Sequence, residues 1–196
     1  MTLKSKEFDQ SYFDGETTRM RHNAGYSRYE RWHRYDGMNS TGEFWADFAA
    51  SLLRDFDLAG KKILELGCAK GFIVEDLRAQ GVDAYGCDVS EYAISKASES
   101  VQPYLLCGES LSILRNTPTE EYDFIISRGF LECIDPVVFP SLVAEMNRAA
   151  QKQIHFVHTE INQECYVRQS LHQWAAFDWK EGTVLIAIDG GEVYNT

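Results

Sequence analysis

The chain has 196 residues, of which 44% are hydrophobic and 25% are charged, and its formal net charge is −11. This length and composition are typical of one globular domain with a sizeable core. Because affinity for DNA or RNA rests on neutralising phosphates, so acidic a chain argues against a nucleic-acid ligand and favours a small molecule. There is no apolar run near the ~20 residues of a membrane span and no cationic, apolar leader, so we expect no membrane association.

The five cysteines are widely and irregularly spaced, odd in number and without a C-x-x-C pair: Cys68, Cys87, Cys107, Cys133 and Cys165. Several of them fall in or beside predicted strands. This pattern predicts reduced, mostly buried thiols in a cytoplasmic protein, with no metal site and no disulfide framework.

The N-terminal residues differ in character from the rest of the chain. Residues 1–16 are polar, charged and without periodicity, which predicts a mobile arm. Residues 17–35 interleave five arginines with aromatic side chains, and a capping box at 27–30 predicts a short helix ended by Gly37. Two interpretations remain: a surface helix packed on the core, or a lid over a site. The candidate lid residues are Arg21, Tyr26, Tyr29, Trp32 and His33. We therefore divide the chain into an arm and lid, 1–38, and a main domain, 39–196.

The main domain alternates helical and extended patterns. A second capping box at 40–43 opens an amphipathic helix whose aromatic and aliphatic residues recur at helical spacing. Strands are predicted at 61–66, 83–88, 102–107, 121–127, 153–158 and 183–188, with helices at 72–80, 91–99 and 109–115, one from about 136, and one bearing aromatics after 160. Residues 192–195 are predicted to return antiparallel to the last strand. Strands that alternate with helices indicate an α/β fold with a parallel sheet.

Residues 61–72 are the stretch around which the domain is organised. A short apolar run ends in Glu65, and Gly67 and Gly71 follow before an amphipathic segment begins, which predicts a strand, a tight turn and a helix. Asp88 ends the next strand, 21 positions after Gly67. That offset is near the ~20 residues at which a carboxylate meets a ribose in nucleotide-binding βαβ units. The pattern therefore predicts a ligand with a ribose.

The same residues bear on which nucleoside is bound. A dinucleotide site requires the spacing G-x-G-x-x-G, but Ala69 stands where the middle glycine would be. Glu65 precedes the turn, and a carboxylate there would repel a pyrophosphate and suit a cationic ligand.

Three blocks together resemble the class I S-adenosylmethionine-dependent methyltransferases: residues 65–71, residues 86–90 and residues 121–132. The resemblance covers roughly residues 44–188. It implies a three-layer Rossmann-like fold with sheet order 3-2-1-4-5-7-6 and a short antiparallel C-terminal strand. It also implies S-adenosyl-L-methionine as cofactor and in-line methyl transfer to a small molecule, of secondary-metabolite or sugar type by analogy with compact relatives. The basic lid favours an anionic acceptor.

The resemblance also implies roles for individual residues. Glu65 and the turn from Gly67 to Gly71 would border the methionine moiety, Asp88 would accept from the ribose hydroxyls, and Val89 would pack on the adenine. Gly108, Glu109 and Ser110 would face the adenine amino group, although the family usually has Asp at position 109. Ser127 and Arg128 would lie beside the methionine part and the acceptor. The full cofactor set is Glu65, Gly67, Cys68, Ala69, Gly71, Phe72, Asp88, Val89, Ser90, Gly108, Glu109, Ser110, Ser127 and Arg128.

A general base is the least defined part of the predicted site. Many relatives have His where this chain has Cys133, to which we assign packing alone. Alternation in the fifth strand places His158 at the carboxyl end of the sheet, where α/β proteins place their sites, so His158 is the first candidate. His22 and His33 come next, and an acceptor that is already nucleophilic needs no base.

Two other functions remain open at this stage. The chain could be an S-adenosylmethionine-binding partner or regulator without transferase activity, since fold alone does not fix function. It could also be an NAD-dependent oxidoreductase, although that reading needs the missing glycine at position 69. The sequence leaves the methyl acceptor and the oligomeric state open.

Overall fold

The computed structural model describes residues 8–14, 44–159, 169–188 and 192–195. Seven strands form one sheet. They are β1 (Lys62–Leu66), β2 (Asp83–Asp88), β3 (Leu105–Cys107), β4 (Tyr122–Arg128), β5 (Ala150–Val157), β6 (Val184–Ala187) and β7 (Val193–Asn195). The helices are α1 (Gln10–Asp14), α2 (Phe44–Asp55), α3 (Phe72–Ala79), α4 (Glu91–Ser95), α5 (Ser110–Arg115), α6 (Phe139–Ala149) and α7 (Leu171–Ala175). Two 3₁₀ turns, Gln102–Tyr104 and Leu131–Cys133, complete the described elements.

The sheet has the order β3-β2-β1-β4-β5-β6-β7, in which β7 alone runs antiparallel to its neighbour. Its two faces are covered by different helices. Side chains of α2 and α3 pack with Ile63 on one face, and those of α6 and α7 pack with Leu64 and Leu66 on the other. Because β1 is buried on both faces, its sequence is apolar except at Lys62 and Glu65. This arrangement confirms the three-layer α/β fold with a mostly parallel sheet.

The strand register brings the carboxyl ends of the central strands to one edge. Leu66 of β1 pairs with Ser127 of β4, and Ser127 pairs with His155 of β5. Glu65 of β1 pairs with Gly86 of β2, two residues before Asp88. The residues that end or follow these strands therefore converge at the edge where parallel sheets place their ligands.

Several predicted boundaries differ from the structure. The strand predicted at 153–158 runs from Ala150 to Val157, and the helix predicted from about 136 begins at Phe139. The strand predicted at 102–107 begins only at Leu105, because residues 102–104 form a 3₁₀ turn that contains Pro103. Proline has no N–H for a strand ladder and a fixed φ that suits such a turn. The helix predicted at 91–99 ends at Ser95, and turns follow it.

The expected order of the last two strands is wrong. The family order places strand seven between strands five and six, whereas here β6 lies beside β5 and β7 forms the edge. Burial explains the difference. Leu185 and Ala187 of β6 are buried, but all three residues of β7 are exposed, so only β6 can occupy an interior position.

The N-terminal arm is also not uniformly as predicted. Residues 8–14, expected to be mobile, include the helix α1, and Phe13 on it is buried. Arg21, Tyr26, Tyr29, Trp32 and His33, which carry the lid hypothesis, lie outside the described residues, as does the capping box at 40–43. The helix predicted to follow that box is confirmed as α2, with Trp45 and Leu52 buried.

Candidate functional site

A cavity of about 810 Å³ opens at the carboxyl edge of the central strands. Its volume lies within the range of about 300–1,000 Å³ that is usual for ligand pockets. The sequence-predicted residues that line it are Glu65, Gly67, Ala69, Asp88, Val89, Glu109, Ser110, Arg128 and His158. The structure thus gathers residues from four strand ends and from the start of α5 around one space.

The glycine turn passes close to a neighbouring ring. Gly67 has φ +74°, and a Cβ added there would lie 2.6 Å from Cδ2 of Phe130. Ala69 also lies in the left-handed region, with φ 50°, and its N–H donates to Oδ2 of Asp88 at 2.8 Å. Such a backbone is costly for a residue with a side chain, and the hydrogen bond that the Ala69 N–H donates to Asp88 helps to hold it.

The amides of this turn are used within the protein. The N–H groups of Gly67 and Cys68 both donate to the carbonyl of Cys87, at 2.9 and 3.0 Å, and that of Gly71 donates to the carbonyl of Cys68 at 2.8 Å. With the N–H of Ala69 on Asp88, four amides of the turn are engaged. A pyrophosphate would need such amides as donors, so this turn is poorly suited to a dinucleotide.

Asp88 is a buried carboxylate held by the backbone on both oxygens. Besides the Ala69 N–H, it accepts from the N–H of Ser90 at 2.8 Å through Oδ1. Burial raises the pKa of Asp88, and these two hydrogen bonds oppose the shift. Each carboxylate oxygen can accept more than one hydrogen bond, so Asp88 retains acceptor capacity toward the cavity that it lines.

Glu65 presents a buried oxygen without a protein partner. The side chain is 4% exposed, and Oε2 has no hydrogen bond among the described residues. Burial, and then the nearby Asp88, raise the pKa of Glu65 to about 8, while Arg128 opposes the shift. A buried carboxyl oxygen without a hydrogen-bond partner is costly, so the arrangement suits a ligand that brings a cationic donor.

Arg128 also lines the cavity, close enough to Glu65 for its charge to lower the pKa of that carboxyl. Its guanidinium carbon lies 5.7 Å from the ring centre of Trp45 and 5.6 Å from that of Phe48. Stacking on two aromatic rings restrains the guanidinium at the cavity surface. Trp45 of α2 both packs in the core and lines the cavity.

Residues 8–14, which include α1, contribute three aromatic side chains that sequence reasoning missed. Phe8, Tyr12 and Phe13 line the cavity, and Phe13 packs with Ala69 and Ala93. The carbonyl of Phe8 accepts a hydrogen bond from the hydroxyl of Ser90. Three aromatic residues within six positions of an otherwise polar arm were a signal that this segment could pack on the domain.

Six predicted cofactor residues do not line the cavity: Cys68, Gly71, Phe72, Ser90, Gly108 and Ser127. Ser90 is the N-cap of α4, accepting from the N–H of Ala93 at 3.0 Å. Ser127, expected beside the methionine moiety, is 2% exposed, and its hydroxyl lies 2.9 Å from Nδ1 of His155. Ser127 therefore belongs to a buried polar network and not to the cavity wall.

His158 is the one candidate base that lies at the cavity. It directly follows β5, and a Cβ added at Gly129 would lie 3.7 Å from its Cδ2 and Nε2 atoms. His155, by contrast, is fully buried, and burial lowers its pKa to about 3. His22 and His33 lie outside the described residues.

Among the described residues, no helix is long and apolar enough to cross a bilayer, and no cluster of His, Cys, Asp and Glu could hold a metal ion. Among the described cysteines, Cys68, Cys87, Cys107 and Cys133 are free thiols.

Comparison with known proteins places this geometry in context. A family model described as a methyltransferase domain matches residues 32–184. A ubiquinone biosynthesis O-methyltransferase of Methylococcus capsulatus is 32% identical over 99 residues, which are 48% of this chain and 40% of that protein. The chain therefore spans less than half the length of this curated relative.

Two solved structures are also similar to this chain. A SAM-dependent methyltransferase of Archaeoglobus fulgidus has a TM-score of 0.48 at 19% identity, over 55% of this chain and 49% of that one. A putative S-adenosyl-L-methionine-dependent methyltransferase of Methanococcus maripaludis has a TM-score of 0.49 at 15% identity, over 74% of this chain and 56% of that one.

Proposed function

The chain belongs to the methyltransferase-domain family, and from this we propose that it catalyses methyl transfer from S-adenosylmethionine to a small-molecule acceptor. The observation that carries the proposal is the pair of buried carboxyls, Glu65 and Asp88, at one end of the cavity. Glu65 suits a cation, and Asp88 suits hydroxyl donors. S-adenosylmethionine bears an ammonium group and a ribose, and it supplies a methyl group on a sulfonium that an incoming nucleophile displaces.

The proposed cofactor contacts follow from the walls of the cavity. Glu65 would accept from the ammonium through Oε2, which has no partner among the described residues. Asp88 would accept from the ribose hydroxyls with the capacity that its two backbone hydrogen bonds leave. Val89, Glu109 and Ser110 line the adjoining part of the cavity and would contact the adenine.

The protein's contribution to catalysis would be mainly geometric. Holding an acceptor in line with the methyl group can supply about 7–11 kcal/mol of such a barrier. The aromatic side chains of α1 and Trp45 would exclude water from the reacting groups. His158 would receive a proton from an acceptor that must lose one, since it lies on the cavity wall, and general base catalysis of this kind typically adds about 10²–10⁴-fold.

The acceptor remains the least constrained part of the proposal. Arg115 and Arg128 are the arginines among the described cavity residues, and they would favour an anionic group, as would the basic segment at 17–35. We propose a small, anionic acceptor of secondary-metabolite or sugar type and no nucleic-acid substrate, in keeping with the acidic chain. The free thiols agree with the cytoplasmic setting that we propose.

The test is the affinity of S-adenosylhomocysteine for two matched variants of β2. Asp88→Ala should bind at least about tenfold more weakly than the wild type, because hydrogen bonds to a charged acceptor are lost. Asp83→Ala removes the same residue type from the exposed start of the strand and should bind normally. Equal affinity of the wild type and a folded Asp88→Ala variant would rule out the ribose contact.

A further inference from the structure

Glu132 is a buried carboxyl that the proposed reaction does not use. It lies in the 3₁₀ turn after β4, is 1% exposed and does not line the cavity. Oε1 accepts a hydrogen bond from the main-chain N–H of His158, and Oε2 has no partner among the described residues. Burying such a group is costly, so its presence calls for an explanation.

The position of His158, directly after the last residue of β5, explains why Glu132 is buried there. The carbonyl of Phe156 accepts from the N–H of Gly129 at 2.9 Å, and that of Val157 accepts from the N–H of Ile188 at 2.8 Å. β5 ends at Val157, so the sheet ladder stops there. Glu132 accepts from the next N–H, that of His158, and so extends the ordered backbone by one residue beyond the ladder.

That additional residue is the one whose ring faces the cavity. The imidazole of His158 lies beside Gly129, which has φ +61°, so the start of the turn that carries Glu132 also adjoins the ring. A fixed backbone at His158 limits the directions in which the imidazole can point.

We propose that Glu132 is a positioning residue that fixes His158 on the cavity wall through its main-chain N–H. It does not touch substrate or cofactor. The proposal goes beyond the proposed function, because the geometry holds whether or not His158 serves as a base.

The first arm of the test uses hydrogen exchange and histidine ring signals in the full chain, followed by NMR. Glu132→Leu removes the acceptor and replaces it with an apolar side chain of similar size. The His158 amide should then lose protection from hydrogen exchange by about tenfold or more. Its imidazole signals should shift or broaden at the same time. Glu132→Gln keeps an acceptor oxygen and should restore both signals.

Two further readouts separate positioning from general stability. The amide of Ile154, in the middle of β5, and the affinity for S-adenosylhomocysteine should match the wild type in both variants. Unchanged protection of the His158 amide in a folded Glu132→Leu variant would overturn the proposal. So would a joint loss at Ile154, His158 and the cofactor site that Glu132→Gln fails to rescue.

A measurement on the wild type keeps the proposal testable if Glu132→Leu does not fold. The His158 amide proton should show a chemical-shift step at the midpoint with which the carboxyl carbon of Glu132 titrates, because this N–H donates to that carboxyl. The absence of such a step at that midpoint would overturn the proposal. If S-adenosylhomocysteine fails to bind the wild type while these midpoints agree, the proposed function fails and the role of Glu132 stands.

Discussion

At the scale of single residues, the cavity is defined by groups whose burial changes their chemistry. Glu65 is the clearest case, because an isolated carboxyl in that position holds its proton more tightly than one in water. A bound ammonium would favour the ionised form and release the proton. Cofactor binding and proton release are therefore expected to be linked.

We predict that the affinity for S-adenosylhomocysteine rises with pH. The pKa of Glu65 is about 8 in the free protein, so below that pH the carboxyl must lose a proton on binding. The dissociation constant should fall by up to about tenfold per pH unit between about pH 6 and pH 7.5. Calorimetry across this range measures the slope. Glu65→Gln should bind weakly and without this slope, and a flat profile in the wild type would contradict the assignment.

Burial shifts the pKa of His155 in the opposite direction from that of Glu65, because it disfavours the charged imidazolium. Asn147 Oδ1 accepts from the N–H of Lys180 and from Gln153 Nε2, which leaves Gln153 Oε1 to accept from His155 Nε2 at 3.0 Å. Nδ1 of His155 then accepts from Ser127. The imidazole is therefore neutral, with its proton on Nε2, and its pKa is about 3.

We predict that this histidine makes the fold sensitive to acid. The pKa of His155 is lower in the folded state than the ordinary value of 6.5, so the unfolded chain binds the proton first as pH falls. The stability that neutral, buried His155 gives the fold is fully present above about pH 6.5. It is lost as the pH falls toward 3, by about 1.4 kcal/mol of unfolding free energy per pH unit. Urea titrations from pH 6.5 to pH 4.5 should show a shallower decline for His155→Gln than for the wild type. Identical slopes would show that His155 does not titrate in this way.

At the scale of elements, the glycine turn and α1 both line the cavity and contact each other, since Phe13 packs with Ala69. A side chain at Gly67 would meet both an unfavourable φ and the Phe130 ring, whereas Gly81, with φ +84°, has nothing within 4 Å of an added Cβ. The two positions therefore separate backbone strain from steric overlap.

We predict that Gly67→Ala destabilises the fold more than Gly81→Ala does. Gly81→Ala should cost about 1–2 kcal/mol through strain alone. Gly67→Ala should cost roughly 1–3 kcal/mol more, since the Phe130 ring must move, and it should weaken S-adenosylhomocysteine binding. Denaturant titration and calorimetry measure the two effects. Equal destabilisation by both variants would show that the contact with Phe130 does not matter.

We also predict that α1 contributes to cofactor binding more than to folding. Phe13 packs with Ala69 and Ala93 in a small cluster separate from the two cores of the sheet. Phe13→Ala should therefore weaken S-adenosylhomocysteine binding by about tenfold, comparable to the loss of one buried aromatic contact, with little change in melting temperature. Tyr194→Ala, at the exposed edge strand, is the matched control and should leave binding unchanged. Normal binding by Phe13→Ala would remove α1 from the site.

At the scale of the whole molecule, the sequence predicted what depends on local pattern. The strand 83–88 agrees with β2 in both bounds, and Glu65 and Asp88 lie where strand ends predict them. The order of β6 and β7 could not be read in this way, because it depends on which strand has enough apolar residues for the interior. The docking of α1 was missed for a related reason: its aromatic face is short and packs on residues 69, 92 and 93, far along the chain.

We propose that the cavity binds S-adenosylmethionine and not a dinucleotide. Calorimetric titration of the wild type with S-adenosylhomocysteine, with NADH as control, tests it most directly. We predict micromolar binding of S-adenosylhomocysteine and no binding of NADH, since Glu65 suits an ammonium and the turn amides are already engaged. Binding of NADH, or no heat with S-adenosylhomocysteine in a folded sample, would contradict the account.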